Sequence, residues 1–314
     1  MHSLSPCYIE RQYTGSRSWK LRVLLRLPFC FLLLALSGAA QQPPASSSPS
    51  TPSDLLDRVV ANLKSSEVLL DQYERVQHME RRKTGSDRDP FDTKVWLLFP
   101  GGTGVDKFPL AADGKPLSTE GYRNELEKFE KFLVWAAQDG AAQKEAYAKV
   151  ERKRKERFDL IDATLQAFRF TFVGKEMRDN RTLLRYSMTP NPKYKPTSRN
   201  TTIFTKVSGT IWIDEQSSEL AKVEGIVTSD ISLALFLAKV YKGSHFMQER
   251  YEIAPGIWQP TYEQYDFDGR KFLSPVSIHE RTFFSNYKRV GPPKEAVEVV
   301  RAELRKLPTA PLAQ

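Results

Sequence analysis

The histidines are considered first, because their spacing shows whether they could bind a metal ion or act together in catalysis. His78, His245 and His279 lie beyond the first 40 residues, and none is four residues from another, as a helical metal pair requires. His279 and Glu280 begin an HExx string, but Phe283 stands where a zinc protease needs its second histidine. Zinc sites need three or four protein ligands, so the sequence predicts no metal and no other cofactor.

Two short motifs imitate a catalytic site and a phosphate loop. Lys242-Gly243-Ser244-His245 places a serine beside a base, but adjacent residues of a strand point to opposite faces. Gly101-Gly102-Thr103-Gly104 lacks the Gly-Lys-Ser/Thr ending of a phosphate loop, and Pro109 and Pro116 follow where a helix would begin. No G-x-S-x-G elbow is present in the sequence. The prediction is therefore a protein that is not an enzyme.

The densest charge run is Lys149–Arg157, with six basic residues and two acidic ones. Opposite charges four residues apart favour a solvated helix with its own ion pairs. The alternative is a docking surface for an anionic membrane or an acidic envelope protein, formed by Arg152, Lys153, Arg154 and Lys155. Aromatic residues do not interleave with this run, so we predict no nucleic-acid partner.

The first 40 residues are predicted to be an export signal. Basic residues precede the apolar run Leu27–Leu36, and the small residues Ser37–Ala40 follow it. This run is shorter than the ~20 residues that span a bilayer, although an uncleaved anchor is the alternative. Removing the segment takes away both cysteines, Cys7 and Cys30, and lowers the net charge from +9 to +5, because it holds five basic residues and one acidic residue. The remaining chain then has no disulfide and no thiolate chemistry.

Periodicity indicates the elements that must position any site. Residues 41–53 are rich in Pro and Ser and predict a flexible linker. Apolar spacing from Leu55 to Leu63 predicts a helix. Gln72–Arg82 places Tyr73, Gln77 and Met79 among charged residues and predicts an exposed or edge strand, whereas Lys94–Phe99 predicts an apolar strand. Two helices are expected between Ser118 and Phe168, separated at Asp139-Gly140, and a weakly amphipathic segment at Lys294–Lys306.

From Phe168 onward the apolar period changes to two, which indicates successive strands. Short connections favour antiparallel hairpins, and Asp268-Gly269 is the strongest hairpin signal. The layout predicts an α+β fold with a large antiparallel β-sheet. Strands such as Thr210–Ile213 are apolar on both faces, so helices or an apolar ligand must cover both. A filled core and a cavity both satisfy that pattern, and the state of Ile231–Val240 stays open.

A succession of strand-and-turn motifs carries a family resemblance. Gly114–Ser118, Gly209–Asp214, Leu220–Glu224, Lys242–Phe246 and Gly256–Pro260 together resemble exported bacterial proteins of the outer-membrane lipoprotein carrier superfamily (LolA-, LolB- and RseB-like). The resemblance implies a large curved antiparallel β-sheet, an open half-barrel with helices covering its concave face. It implies a domain at residues 54–290, with a helical insertion at about 118–167 and a C-terminal tail with a short helix at 291–314.

The resemblance also implies a function. Members of that superfamily hold acyl chains of a lipid or lipoprotein, and others sense mislocalised lipoprotein. We therefore expect a periplasmic, non-enzymatic carrier or binding protein of a Gram-negative bacterium, associated with the membrane in one version of this hypothesis. The alternative is an envelope regulator or scaffold that binds another protein through its surface. The expected lining residues of the interior are Phe168, Phe170, Phe172, Trp212, Phe236, Leu237 and Trp258.

Overall fold

The computed structural model describes residues 52–83, 91–112, 114–233, 238–272 and 274–308. Within these ranges the helices are α1 (Pro52–Leu70), α2 (Thr119–Ala136), α3 (Ala141–Ala167), α4 (Arg199–Thr202) and α5 (Pro293–Lys306). The strands are β1 (Tyr73–Lys83), β2 (Asp92–Pro100), β3 (Val105–Ala112), β4 (Lys115–Pro116), β5 (Phe168–Arg178), β6 (Arg181–Pro190), β7 (Val207–Asp214), β8 (Leu220–Val227), β9 (Ile231–Leu233), β10 (Ala238–Val240), β11 (His245–Ala254), β12 (Ile257–Lys271) and β13 (Ser274–Arg289).

The strands form one large antiparallel sheet. Its order is β4-β3-β2-β1-β13-β12-β11-β8-β7-β6-β5, and β9 and β10 branch from β12. Within the described residues the two end strands, β4 and β5, pair only with their inner neighbours, so the sheet stays open. This confirms the predicted α+β fold, an open half-barrel with helices. Of the helices described, none combines the length and the apolar character needed to cross a membrane.

Helices α1 and α3 pack on one face of this sheet, here named the helix-covered face. In α1 the buried side chains Leu55, Val59 and Leu63 recur every four residues, which places them on one stripe. They pack in the larger core cluster together with Leu160 of α3 and with apolar residues of β5–β8, β11 and β12. The opposite face of the sheet is named the outer face.

A second core cluster lies at the other end of the sheet. There α2 and α5 pack against β2 and β3, and Phe129 of α2 makes edge-on ring contacts with Phe99 and Phe108. Ser118 caps α2 by accepting a hydrogen bond from the backbone N–H of Gly121 at 3.0 Å. The sequence predicted α2 and α3 and the break between them at Gly140, which is the N-cap of α3.

The predicted edge position of β1 is wrong. Strand β1 lies inside the sheet, paired with β2 on one side and β13 on the other. Its polar side chains Arg75, Gln77 and Arg81 are nonetheless buried. Charged residues normally indicate exposure, but here they face other polar side chains rather than water.

Two further details of the strands did not follow from the sequence. The segment around Pro109 forms β3, and a register irregularity opposite Val95 and Trp96 accommodates the proline. Asp268 and Gly269 lie inside β12, and no turn forms there. A Cβ on Gly269 would lie 2.0 Å from the backbone oxygen of Lys239, so this glycine permits close approach of β10 instead.

The predicted signal peptide (1–40), most of the predicted linker (41–51), Phe236 and Leu237 lie outside the described residues. Ile231–Val240 begins and ends as short strands, β9 and β10.

Candidate functional site

An apolar cleft lies between α1, the C-terminal end of α3 and the helix-covered face of the sheet. Apart from Thr164, its lining is apolar: Leu56, Val59, Val60, Leu63, Leu165, Phe168, Phe170, Met188, Phe204, Val207, Ile211, Leu220, Val223 and Phe246. Its volume is about 650 Å³ with the open mouth included, but only about 50 Å³ of it can hold the centre of a water molecule. That is room for a few waters, so the cleft is nearly filled by its own side chains.

The three predicted phenylalanines of β5 divide between lining and surface. Phe168 and Phe170 line the cleft, with their ring centroids 6.3 Å apart. Phe172 follows on the same side of the strand, where its ring contacts Tyr186, but its side chain is 52% exposed. The period of two therefore predicted that the three rings lie on the same side of β5. It could not predict that the covering helices end before Phe172, which leaves that ring exposed.

The two predicted tryptophans are not in the cleft. Ile211 and Ile213 belong to the core under α1, so Trp212 between them points to the outer face. Trp212 and Trp258 form a small cluster there with Leu183 and Ala221. Arg181 stacks over Trp258 at 5.1 Å from the ring centroid, and Trp212 donates a hydrogen bond to Glu176 at 2.8 Å.

Beyond the cleft, the helix-covered face becomes polar. The buried polar cluster consists of Glu67 on α1, the partly buried Arg157 on α3, Glu219 just before β8, and three residues of the sheet, Gln248, Arg250 and Gln259. Gln259 donates a hydrogen bond to the carbonyl oxygen of Ser66 at 2.7 Å, and Arg157 Nε lies 3.6 Å from Glu67 Oε2. These contacts attach the C-terminal half of α1 to the sheet and to α3.

The hydrogen bonding of this cluster is incomplete. Arg250 is 0% exposed and donates from Nη2 to the carbonyl oxygen of Trp258 at 2.7 Å. Its Nε and Nη1 have no hydrogen-bond partner among the described residues, and neither does one oxygen of Glu67, of Glu219, of Gln248 and of Gln259. A buried polar group without a partner costs about 1–3 kcal/mol.

Burial also displaces the pKa values of the charged members. It raises the pKa of Glu219 to about 7 and raises that of Glu67 well above its ordinary value, although nearby arginines oppose both shifts. Burial lowers the pKa of Arg250 to about 10. The two acids are thus protonated much more readily than in water, whereas the guanidinium stays charged at neutral pH.

The predicted docking surface on α3 is only partly at the surface. Arg152, Lys153 and Lys155 are exposed, and Lys155 pairs with Asp159 at 3.1 Å. Arg154 turns inward and donates to Asp71, the residue after α1, at 2.7 Å. Sequence spacing did not distinguish Arg154 from the exposed residues beside it, because the side of α3 that faces inward is set by its packing against α1.

Strand register on the outer face brings together side chains that spacing in the sequence kept apart. His245 and His279 flank Asp266 across β11, β12 and β13, and His279 Nδ1 lies 2.8 Å from Asp266 Oδ1. Arg281 donates to the same oxygen at 2.9 Å. Although burial alone would raise it, hydrogen bonds from Gln264, His279 and Arg281 hold the pKa of Asp266 below its ordinary value. Among the described residues no group of three ligands suits a metal ion.

Comparison with known proteins returns structural neighbours. No family model and no curated protein matches the chain. A LolA superfamily protein from Nitrosomonas europaea is 9% identical with a TM-score of 0.28, covering 79% of this chain and 97% of its own. A putative outer membrane lipoprotein-sorting protein domain from Vibrio parahaemolyticus is 10% identical with a TM-score of 0.26, covering 78% of this chain and 99% of its own. MucB of Pseudomonas aeruginosa, solved with MucA, is 10% identical with a TM-score of 0.21, covering 74% of this chain and 93% of its own.

The Nitrosomonas europaea neighbour is a LolA superfamily protein, and LolA-like proteins are among those that the sequence resembles. At identities of 9–10% and TM-scores below 0.3, no residue role is transferred from them.

Proposed function

We propose that this protein is an exported, non-enzymatic protein of the Gram-negative periplasm that binds an acyl chain of a lipid or lipoprotein in the cleft under α1. The observation that carries the proposal is the lining itself, which is apolar except for Thr164 and opens to solvent. Such a lining offers nothing to a polar ligand but would shield a hydrocarbon chain from water.

The energetics of burial make such binding useful. Each buried CH₂ group contributes about 0.8 kcal/mol, so about ten of them provide roughly 8 kcal/mol, which corresponds to a micromolar Kd. The space now free, about 50 Å³, does not hold a chain of that length. Binding therefore requires α1 to move away from the sheet, and the cost of that movement lowers the affinity.

Uptake of acyl chains tests the proposal. Native mass spectrometry of protein purified from a Gram-negative periplasm should detect a bound lipid, and the purified protein should take up a fluorescent fatty acid with a micromolar Kd. A ligand-free mass spectrum together with no uptake of the fluorescent probe would contradict the proposal.

The chain offers a matched pair of variants for the same assay. Phe170→Ala removes a ring from the lining and should weaken uptake of the fluorescent fatty acid about tenfold, because the bound chain loses apolar contact. Phe172→Ala removes an exposed ring from the same side of the same strand and should change the Kd less than twofold. Equal effects of the two substitutions would place the acyl chain elsewhere.

A regulator or scaffold is the second candidate function, and the exposed basic residues of α3 support it. Arg152 and Lys153 project into solvent, so an acidic envelope protein or an anionic membrane could reach them. The double variant Arg152→Glu/Lys153→Glu should abolish capture of such a partner at low salt while leaving fatty-acid uptake intact. If capture is unchanged, these basic residues do not bind a partner and serve only to keep the exposed side of α3 hydrated.

A further inference from the structure

The cleft and the buried polar cluster are built from the same elements. Leu63 lines the cleft, and Glu67 follows it one helical turn later on the same face of α1. Phe246 lines the cleft, and Arg250 follows it four residues later on β11. Glu219 directly precedes Leu220, the lining residue at the start of β8. A chain lying along the cleft toward these three residues therefore points at Arg250.

Acids and guanidinium groups meet beyond the cleft. Glu67, Glu219 and Glu263 interact with Arg250, and burial raises the pKa values of Glu67 and Glu219. Arg157 and Arg75 add two further guanidinium groups, each interacting with Glu67. Arg250 also has two N–H-bearing nitrogens, Nε and Nη1, without a partner in the described part of the chain. A buried guanidinium in this state is stabilised by an anion.

We propose that the ligand of the cleft is a single-chain amphiphile with an anionic head, whose tail packs against the cleft lining and whose head is bound by Arg250. This inference rests on the proposed function and narrows its ligand class. The head carries a carboxylate or a phosphate, because both accept hydrogen bonds from guanidinium nitrogens. When α1 lifts to admit the tail, its C-terminal half leaves the sheet and opens the way to Arg250, since Ser66 and Glu67 cover this position.

The test compares three ligands of equal chain length by isothermal titration calorimetry at pH 8: dodecanoate, dodecyl phosphate and 1-dodecanol. Both anions should bind at least tenfold more tightly than the alcohol, and the tighter of the two identifies the head. If the alcohol binds as tightly as the anions, the assignment of the head to Arg250 is overturned while acyl binding stands. If none of the three binds, the proposed function fails and this inference with it.

Substitution of the arginine locates the effect. Arg250→Met keeps an unbranched side chain but removes its charge, so the preference for anions should fall below threefold while the Kd for 1-dodecanol stays within twofold. Arg185→Met, on the outer face of β6, is the control and should keep the full preference. A preserved preference in folded Arg250→Met overturns the proposal. If that variant does not fold, the ratio measured with the unaltered protein still decides.

Discussion

The two halves of the surface beneath α1 differ in how they hold this helix. The N-terminal half lies on the apolar cleft, where Val59 and Leu63 pack against the sheet through apolar contacts, while Arg58 and Asn62 donate hydrogen bonds to the turn at Ser217 and Ser218. The C-terminal half lies on the buried polar cluster, where Glu67, Asp71 and the Ser66 carbonyl meet Arg157, Arg154 and Gln259. Apolar packing tolerates exchange of one hydrocarbon for another, whereas ion pairs and hydrogen bonds fix a position. The difference indicates that an acyl chain could replace the contacts of α1 with the cleft, whereas the contacts with the polar cluster fix where α1 lies.

The largest expected effect separates these halves within one helical turn. Leu63→Ala, at a side chain that is 1% exposed, should lower the free energy of unfolding by about 2–5 kcal/mol. Glu67→Gln should lower it by less than about 1 kcal/mol, because burial already favours the uncharged form of Glu67 and glutamine keeps its size. Urea denaturation of both variants measures the two values. Equal losses would show that the charge of Glu67, rather than apolar packing, holds α1.

The pH dependence of stability gives the next largest effect. The pKa of Glu219 is raised from 4.5 to about 7, so between these values the folded protein binds more protons than the unfolded chain. The free energy of unfolding therefore falls as pH rises from about 4.5 to about 7. Arg250 opposes this shift, whereas Asp214 and Glu252 reinforce it.

Glu219→Gln removes that titration. Relative to the unaltered protein, it should gain about 1–3 kcal/mol of unfolding free energy between pH 5 and pH 8. Glu215→Gln, at the exposed residue that pairs with Lys175, is the control and should change by less than about 0.5 kcal/mol over the same range. Denaturation at both pH values measures this, and a flat difference for Glu219→Gln would contradict the raised pKa.

The smallest effect concerns the basic face of α3. Arg154→Ala breaks the contact with Asp71 that ties α3 to the end of α1, and it should cost about 1 kcal/mol. Arg152→Ala, two residues earlier on the exposed side, should stay within about 0.5 kcal/mol of zero. Thermal unfolding at low and at high salt checks both, since only the loss at Arg154 should shrink with salt. Equal losses would mean that both side chains act in the same way.

Local sequence patterns predicted the helices and strands better than they predicted which of these elements pack together. The helices α1, α2 and α3 and the strands from Phe168 onward follow from apolar periods, which depend only on nearby residues. The interior position of β1 did not follow, because its buried polar side chains depend on partners from distant elements, such as Lys107 of β3 for Gln77 and Glu280 of β13 for Arg81. Asp268-Gly269 has the composition of a hairpin turn, but contact with β10 gave the glycine another role.

Site residues show the same limit. Phe168 and Phe170 could be assigned to the interior because a strand face is shared by alternate residues. Trp212 could not be assigned correctly, since an apolar strand does not reveal which of its two apolar faces meets the helices. Arg250 carried no signal in the sequence, where it is one charged residue in an alternating strand. Only the packing of α1 over β11 makes it a buried charge at the end of an apolar cleft.

Photolabelling is the most direct test of acyl binding under α1. Dodecanoic acid with a diazirine near its methyl end would be irradiated with the protein, and labelled peptides would be identified by mass spectrometry. We predict labels on α1 and on β5 or β7, at residues such as Leu56, Phe170 and Ile211, and suppression of these labels by excess dodecanoate. Labels confined to exposed apolar residues such as Phe172, Val173 and Met177, or to the outer-face tryptophans, would contradict binding in the cleft.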